Sequence, residues 1–148
     1  MATALIVYAS LTGNTEEIAD ILAESLEEQG VEVDIKGCTS ATADEFHDYD
    51  ICVVATYTYG TDGDLPDEIV DFYEELEEED LTGKIYGALG SGDTFYDKFC
   101  QSVLDFDEQF AKTGATKGAE NVLVDLNAEE EDVKNIEAFA KSLVEKLG

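Results

Sequence analysis

A hydroxyl-rich turn near the start of the chain has the composition of a phosphate-binding site. The turn Ser10-Leu11-Thr12-Gly13-Asn14-Thr15 follows a short apolar run and precedes a helical pattern. Its hydroxyl, amide and backbone N–H groups can donate hydrogen bonds to an anion, and the dipole of the following helix favours negative charge there. The turn carries no cation, so it suits a phosphate held permanently by neutral donors rather than phosphoryl transfer, which needs Lys, Arg or Mg²⁺. A plain helix N-cap is the alternative interpretation of this turn alone.

Two later segments place aromatic rings in polar loops that contain glycine. Thr56-Tyr57-Thr58-Tyr59-Gly60-Thr61-Asp62-Gly63 follows one continuously apolar run, and Gly90-Ser91-Gly92-Asp93-Thr94-Phe95-Tyr96 follows another. A ring in a polar loop has no hydrophobic core to fill, although an isolated loop tyrosine usually lies on the surface. Two such loops beside a phosphate turn describe a sandwich for a planar ring.

The glycines of this region do not form a nucleotide fingerprint. The chain lacks the GxxxxGK[ST] pattern of phosphate-binding loops and the GxGxxG pattern of dinucleotide-binding turns. Gly87, Gly90 and Gly92 stand in a different order. We expect them to let the backbone pass close to a flat group.

The other reactive residue types indicate structural roles. His47 is the only histidine and has no cysteine or second histidine at the spacing of metal ligands. Asp62-Gly63-Asp64 resembles part of a calcium loop but lacks its spacing and its closing glutamate. Cys52 lies in an apolar run and is predicted to be a small buried hydrophobe, while Cys38 is predicted to lie in a loop. We therefore predict no metal ligand and no catalytic residue.

The hydrophobic period of the chain alternates between that of strands and that of helices. Strands are predicted at Ala4–Tyr8, Val31–Lys36, Ile51–Ala55, Tyr86–Leu89 and Val122–Leu126. Helical stripes follow the first, third, fourth and fifth of these strands, which predicts an α/β fold, a doubly wound five-stranded parallel sheet with helices on both faces. The strands at Val31 and Val122 have the most interrupted patterns, as edge strands do. The order 2-1-3-4-5 follows, with ligands expected at the switch point between the first and third strands.

The length and net charge of the chain limit the number of domains and the kinds of partner. The chain has 148 residues, 36 Asp and Glu, 8 Lys and no Arg, for a net charge near -28. With no change of composition along it, residues 1–148 are expected to form one domain. Such an acidic chain should bind neither nucleic acid nor anionic membranes, and its partners should be basic. We see no signal peptide, membrane span or even cysteine framework, and we expect a cytoplasmic monomer.

The three loops together resemble those of the short-chain flavodoxins, and the resemblance extends over essentially the whole length. It implies a flavodoxin-like fold and non-covalently bound FMN, with Tyr59 and Tyr96 on opposite faces of the isoalloxazine ring. It also implies phosphate contacts from Ser10 to Thr15 and from Thr56, and backbone contacts to the pyrimidine edge near Gly92, Asp93, Lys98 and Cys100. The cofactor-binding residues so predicted are Ser10, Leu11, Thr12, Gly13, Asn14, Thr15, Thr56, Tyr57, Thr58, Tyr59, Gly60, Ser91, Gly92, Asp93, Tyr96, Phe99 and Cys100.

The function that this resemblance implies is electron transfer. A low-potential one-electron carrier would shuttle electrons between basic-faced redox enzymes, a reductase donor and an oxidoreductase acceptor, and would not itself be an enzyme. The alternative is a small flavin-dependent reductase acting on its own substrate. A receiver-type signalling domain has the same topology but needs an acidic pair after the first strand and an acceptor aspartate after the third, and neither is present. A non-redox acidic binding module is a further alternative.

Overall fold

The computed structural model describes residues 2–9, 14–57, 67–92, 101–125 and 129–147. Its strands are β1 (Thr3–Tyr8), β2 (Glu32–Gly37), β3 (Ile51–Tyr57), β4 (Ile85–Gly92), β5 (Thr116–Lys117) and β6 (Val122–Asp125). Its α-helices are α1 (Asn14–Glu28), α2 (Asp67–Glu77), α3 (Gln101–Lys112) and α4 (Glu130–Leu147). Two 3₁₀ turns, Cys38–Ser40 and Ala43–Asp48, lie between β2 and β3. Within these ranges no helix combines the length and apolarity needed to cross a membrane.

The described strands form one parallel sheet in which the order of the first four is β2-β1-β3-β4. β5 and β6 both pair with β4 and share the fifth position. The predicted order 2-1-3-4-5 is confirmed, and so is the switch point between β1 and β3. Because all pairings are parallel, the carboxyl ends of the strands lie along one edge of the sheet.

The fifth position differs from the single strand predicted at Val122–Leu126, because the chain leaves the ladder between β5 and β6. The Gly118 N–H still donates to the Tyr86 carbonyl at 2.9 Å. The Gly118 carbonyl, however, accepts from Ser142 Oγ of α4 at 2.6 Å. The hydroxyl of α4 thus replaces a ladder partner, which lets the chain bulge before β6 begins. Leu126 lies outside the described residues.

Gly30 ends α1. The Gly30 N–H donates to the Glu27 carbonyl at 3.0 Å and the Val31 N–H to the Leu26 carbonyl at 3.1 Å. Gly30 has a φ of 88°, in the left-handed region that glycine enters at no steric cost. This is a Schellman motif, which satisfies carbonyls at the helix end and turns the chain directly into β2.

Two hydrophobic layers cover the sheet, one on each face, as predicted. The layer under α1 and α4 buries Ile6, Ile18, Leu22, Phe139 and Leu143. The layer under α2 and α3 buries Leu5, Phe46, Phe72, Phe106 and Phe110. Neighbouring residues of β1 enter opposite layers because side chains alternate along a strand. Each fully buried large side chain contributes about 1.5–3 kcal/mol, so both layers hold the central strands rigidly beneath their carboxyl ends.

Candidate functional site

The candidate site lies where the central strands end. β1 and β3 are in register from Ala4 with Ile51 to Tyr8 with Ala55, and the Ala9 N–H continues the ladder to the Ala55 carbonyl at 2.9 Å. β3 and β4 are in register to Tyr57 with Ser91. α1 begins at Asn14, so the last two residues of the predicted phosphate turn, Asn14 and Thr15, belong to the helix. The carboxyl ends of β1, β3 and β4, which precede the three predicted loops, therefore lie along one edge of the sheet.

The structure describes six of the predicted cofactor-binding residues. Asn14 and Thr15 begin α1, Thr56 and Tyr57 end β3, and Ser91 and Gly92 end β4. The other predicted residues lie outside the described ranges: Ser10, Leu11, Thr12, Gly13, Thr58, Tyr59, Gly60, Asp93, Tyr96, Phe99 and Cys100.

A hydrogen bond between two hydroxyls joins the start of α1 to the end of β4. Thr15 Oγ1 lies 2.9 Å from Ser91 Oγ, and both residues are buried. In such a pair one hydroxyl donates to the other, which leaves the second proton for a further acceptor. The bond holds the first turn of α1 against the end of β4. Sequence reasoning named both residues but did not predict their contact.

A second hydroxyl joins the start of α3 to the end of β3. Ser102 Oγ donates to the Tyr57 carbonyl at 2.6 Å, and Ser102 is fully buried. Sequence reasoning missed Ser102, although a signal for it exists. Four residues before the buried Phe106, it lies on the core-facing side of an amphipathic helix, where a serine needs a hydrogen-bond partner.

The glycines of β4 meet two different neighbours. A Cβ built on Gly87 would lie 2.5 Å from the ring of Phe139, so this glycine does pass close to a flat group, as predicted. A Cβ built on Gly90 would lie 1.8 Å from the carbonyl oxygen of Thr56. The prediction is therefore wrong at Gly90, where the close neighbour is the backbone of the adjacent strand. No side chain fits at that position between β3 and β4.

The described donors at this edge are neutral. Thr15, Thr56 and Ser91 supply hydroxyls, all of them buried. Lys36 and Lys117 are both paired with carboxylates, Lys36 with Glu45 and Lys117 with Asp107. A neutral donor set at the N-terminus of a 15-residue helix fits a phosphate monoester that is bound rather than transferred.

The residues predicted to be structural occupy structural positions. Cys52 is fully buried, and burial raises the pKa of its thiol to about 12, so the thiol stays protonated at neutral pH. Cys38 is buried in the first 3₁₀ turn. His47 Nε2 lies 2.8 Å from Glu79 Oε1 on the surface. In the part of the chain that the structure describes, no group of three metal-ligating side chains is assembled.

Comparison with known proteins decides the family. The sequence model of the flavodoxin family matches residues 6–146. The chain belongs to the flavodoxins. A flavodoxin structure from Streptococcus pneumoniae TIGR4 is similar to it with 59% identity and a TM-score of 0.96, over 98% of this chain and 99% of that one. Probable flavodoxin 1 of Bacillus subtilis strain 168 is 40% identical over 97% of this chain and 91% of its own length.

Flavodoxin-like segments also occur inside larger redox proteins. The sulfite reductase flavoprotein alpha-component of Vibrio vulnificus is 30% identical over 82% of this chain, a match that covers 20% of that relative. Domains of this family therefore also occur within redox systems. Flavodoxins are FMN-binding electron-transfer proteins, which confirms the predicted family, cofactor and class of function. This flavodoxin is an electron carrier rather than an enzyme.

Proposed function

We propose that FMN binds across the carboxyl ends of β1, β3 and β4, with its phosphate in the turn 10–15 and its ring between Tyr59 and Tyr96. The contact that supports this proposal is the hydrogen bond between Thr15 and Ser91, because it brings the last residue of the phosphate turn to the end of β4. Thr56 would complete the phosphate donors. Tyr57, Thr58, Gly60, Gly92, Asp93, Phe99 and Cys100 would line the ring.

The protein would bind FMN and set the electrostatic potential at the flavin ring. When bound, FMN supplies the one-electron chemistry. Neutral hydroxyls hold its phosphate without cancelling the phosphate charge. The surplus of 36 acidic over 8 basic residues disfavours any further negative charge at the ring. One carboxylate about 12 Å away contributes only about 0.3 kcal/mol through water, so the low potential that we propose arises from the summed field.

Removing one hydroxyl of the phosphate turn should separate phosphate binding from ring binding. Thr12→Ala is expected to weaken FMN by about 0.5 to 2 kcal/mol, because a donor to the phosphate is lost, and to leave riboflavin binding nearly unchanged. Fluorescence titration of the apoprotein with both flavins measures this. Thr42→Ala is the matched control, since Thr42 caps a 3₁₀ turn between β2 and β3. Equal losses for the two flavins would refute the phosphate assignment.

We further propose that residues 1–148 act as a single-domain cytoplasmic monomer that exchanges electrons with basic-faced redox enzymes. The net charge of -28 supports basic partners, because unlike charges steer such encounters. Two continuous hydrophobic layers on one sheet support a single domain. Analytical ultracentrifugation at micromolar concentration tests the monomer, which a dimer mass would refute.

Salt should slow electron transfer to a basic acceptor. With the reduced protein and cytochrome c as a basic probe, the second-order rate constant is expected to fall about tenfold between 10 and 150 mM salt. The reason is that the Debye length shrinks from about 30 to about 8 Å over this range. Stopped-flow absorbance measures the rate. Anionic ferricyanide is the control and should show the opposite trend, whereas a flat profile with cytochrome c would contradict electrostatic docking.

A further inference from the structure

Ser91 faces the first turn of α1 because side chains alternate along β4. Ile85 and Leu89 enter the hydrophobic layer under α1 and α4, and Ser91 follows Leu89 at the strand spacing of two. On the helix, Thr15 lies three residues before Ile18, which is buried in the same layer. The two hydroxyls therefore meet on this face of the sheet, with Thr15 Oγ1 and Ser91 Oγ 2.9 Å apart.

The two hydroxyls carry one more proton than their mutual bond can use. Two O–H groups have two protons, and the hydrogen bond between them takes one. Thr15 is only 1% exposed and Ser91 only 4%, so bulk water hardly reaches either group. Among the residues that the structure describes, neither hydroxyl has a second partner. Because a buried O–H normally has an acceptor, the pair is suited to a ligand that accepts a hydrogen bond.

The backbone decides which of the two hydroxyls is better placed to serve a ligand. Ser91 lies within the sheet, paired with Tyr57 of β3 on one side and with Val124 of β6 on the other. Thr15 is the second residue of α1, among the first N–H groups of the helix, which lack partners within it and favour an anion. When Ser91 donates to Thr15, the unused proton therefore belongs to the residue at the anion-binding end of the helix.

We propose that Ser91 is a positioning residue for the phosphate of FMN: it donates to Thr15 Oγ1, so that Thr15 donates its own proton to the phosphate. The inference rests on the proposed function in one respect, the position of the phosphate at the start of α1. It adds that Ser91 acts on the phosphate through Thr15 and not on the ring. Loss of the Ser91 hydroxyl should therefore weaken FMN, spare riboflavin, and matter only while Thr15 keeps its own hydroxyl.

A double-mutant cycle tests this dependence. Wild type, Ser91→Ala, Thr15→Val and the double variant are titrated as apoproteins with FMN and with riboflavin, and Thr15→Val is chosen because it removes the hydroxyl at nearly constant shape. Ser91→Ala is expected to raise the Kd of FMN about fivefold, equivalent to about 1 kcal/mol for one hydrogen bond. Thr15→Val should raise it about tenfold or more, and the double variant no further than Thr15→Val alone. The Kd of riboflavin should stay within about twofold throughout.

Two further variants keep the test independent of folding. Ser91→Cys retains nearly the same volume with a weaker donor, so its FMN affinity should lie between those of wild type and Ser91→Ala. Ser142→Ala is the matched control, because Ser142 Oγ donates to the Gly118 carbonyl at 2.6 Å, beside the fifth position of the sheet. It should change neither Kd. Urea unfolding of each apoprotein shows that the variants compared are folded.

The outcomes distinguish this inference from the proposed function. Additive losses in the double variant would mean that Ser91 acts independently of Thr15, and equal losses of FMN and riboflavin would mean that it acts on the ring; either result overturns the inference. Unchanged FMN binding in Ser91→Ala, with weakened binding in Thr15→Val, would overturn it while leaving the proposed phosphate position intact. Unchanged binding in Thr15→Val as well would instead overturn that phosphate position, and the inference with it.

Discussion

Gly90→Ala is expected to lower the free energy of unfolding of the apoprotein by about 3 kcal/mol and to remove most FMN binding, because the added methyl group has no space. Its Cβ would lie 1.8 Å from the Thr56 carbonyl oxygen and 2.8 Å from Val103 Cγ2. β4 has β3 on one side and β6 on the other, so it cannot move away without breaking ladder hydrogen bonds. Separation of β3 from β4 would also move Ser91, the partner of Thr15.

Urea unfolding followed by circular dichroism and titration with FMN measure the two effects of Gly90→Ala. Gly37→Ala is the control, because Gly37 also lies in a strand and the nearest neighbour of its Cβ would be the Tyr8 ring at 3.9 Å. That distance is ordinary van der Waals contact. If the two variants unfolded at the same urea concentration, the close approach of Gly90 to Thr56 would not exist in solution.

Asp107→Ala is expected to lower the free energy of unfolding by about 2 kcal/mol at pH 7, because one carboxylate serves three donors. Asp107 accepts from Tyr86 Oη at 2.6 Å, from Lys117 Nζ at 2.9 Å and from Asn121 Nδ2 at 3.0 Å. These donors come from β4, from β5 and from the segment before β6. The carboxylate of α3 therefore holds the interrupted fifth position against the sheet.

The contribution of Asp107 should depend on pH in a defined direction. Burial alone would raise the pKa of this carboxyl, but the hydrogen bonds from Tyr86, Lys117 and Asn121 outweigh burial and lower it. The unfolded chain therefore binds more protons than the folded chain between the two pKa values. The stabilisation is complete above the ordinary aspartate value of about 4 and is lost as the pH falls through the lower, folded value.

Unfolding curves at pH 7 and at pH 3 test this dependence. The difference between wild type and Asp107→Ala should be smaller at pH 3, because the unfolded wild-type chain then carries a proton on Asp107 that folding tends to release. Asp105→Ala is the control on the same helix, since Asp105 accepts only a helix-internal bond from Gln101 Nε2 at 3.0 Å among the hydrogen bonds described. A pH-independent difference would mean that Asp107 acts through packing alone. FMN affinity should stay unchanged, because Tyr86 lies near the start of β4, far from the carboxyl ends.

The sequence alone determined the parts of this protein that depend on near neighbours in the chain. Gly30 ends α1 and the alternating periods give the order of strands and helices, because caps and periodic faces involve residues within a few positions of each other. The composition of the turn 10–15 and of the two aromatic loops was enough to predict the family and its cofactor. The individual contacts of those loops with FMN stay predictions.

Only the tertiary structure decided which distant residues meet. Thr15 and Ser91 are 76 positions apart, and Ser102 lies 45 positions from Tyr57. Such pairs depend on the strand register and on where each helix packs on the sheet, which no local pattern of polar and apolar residues encodes. The same holds for Gly90, whose neighbour follows from the pairing of β3 with β4, and for Asp107, whose three donors come together only once the sheet has formed. The roles of Ser91, Ser102 and Gly90 are therefore set by the atoms that the fold places beside them.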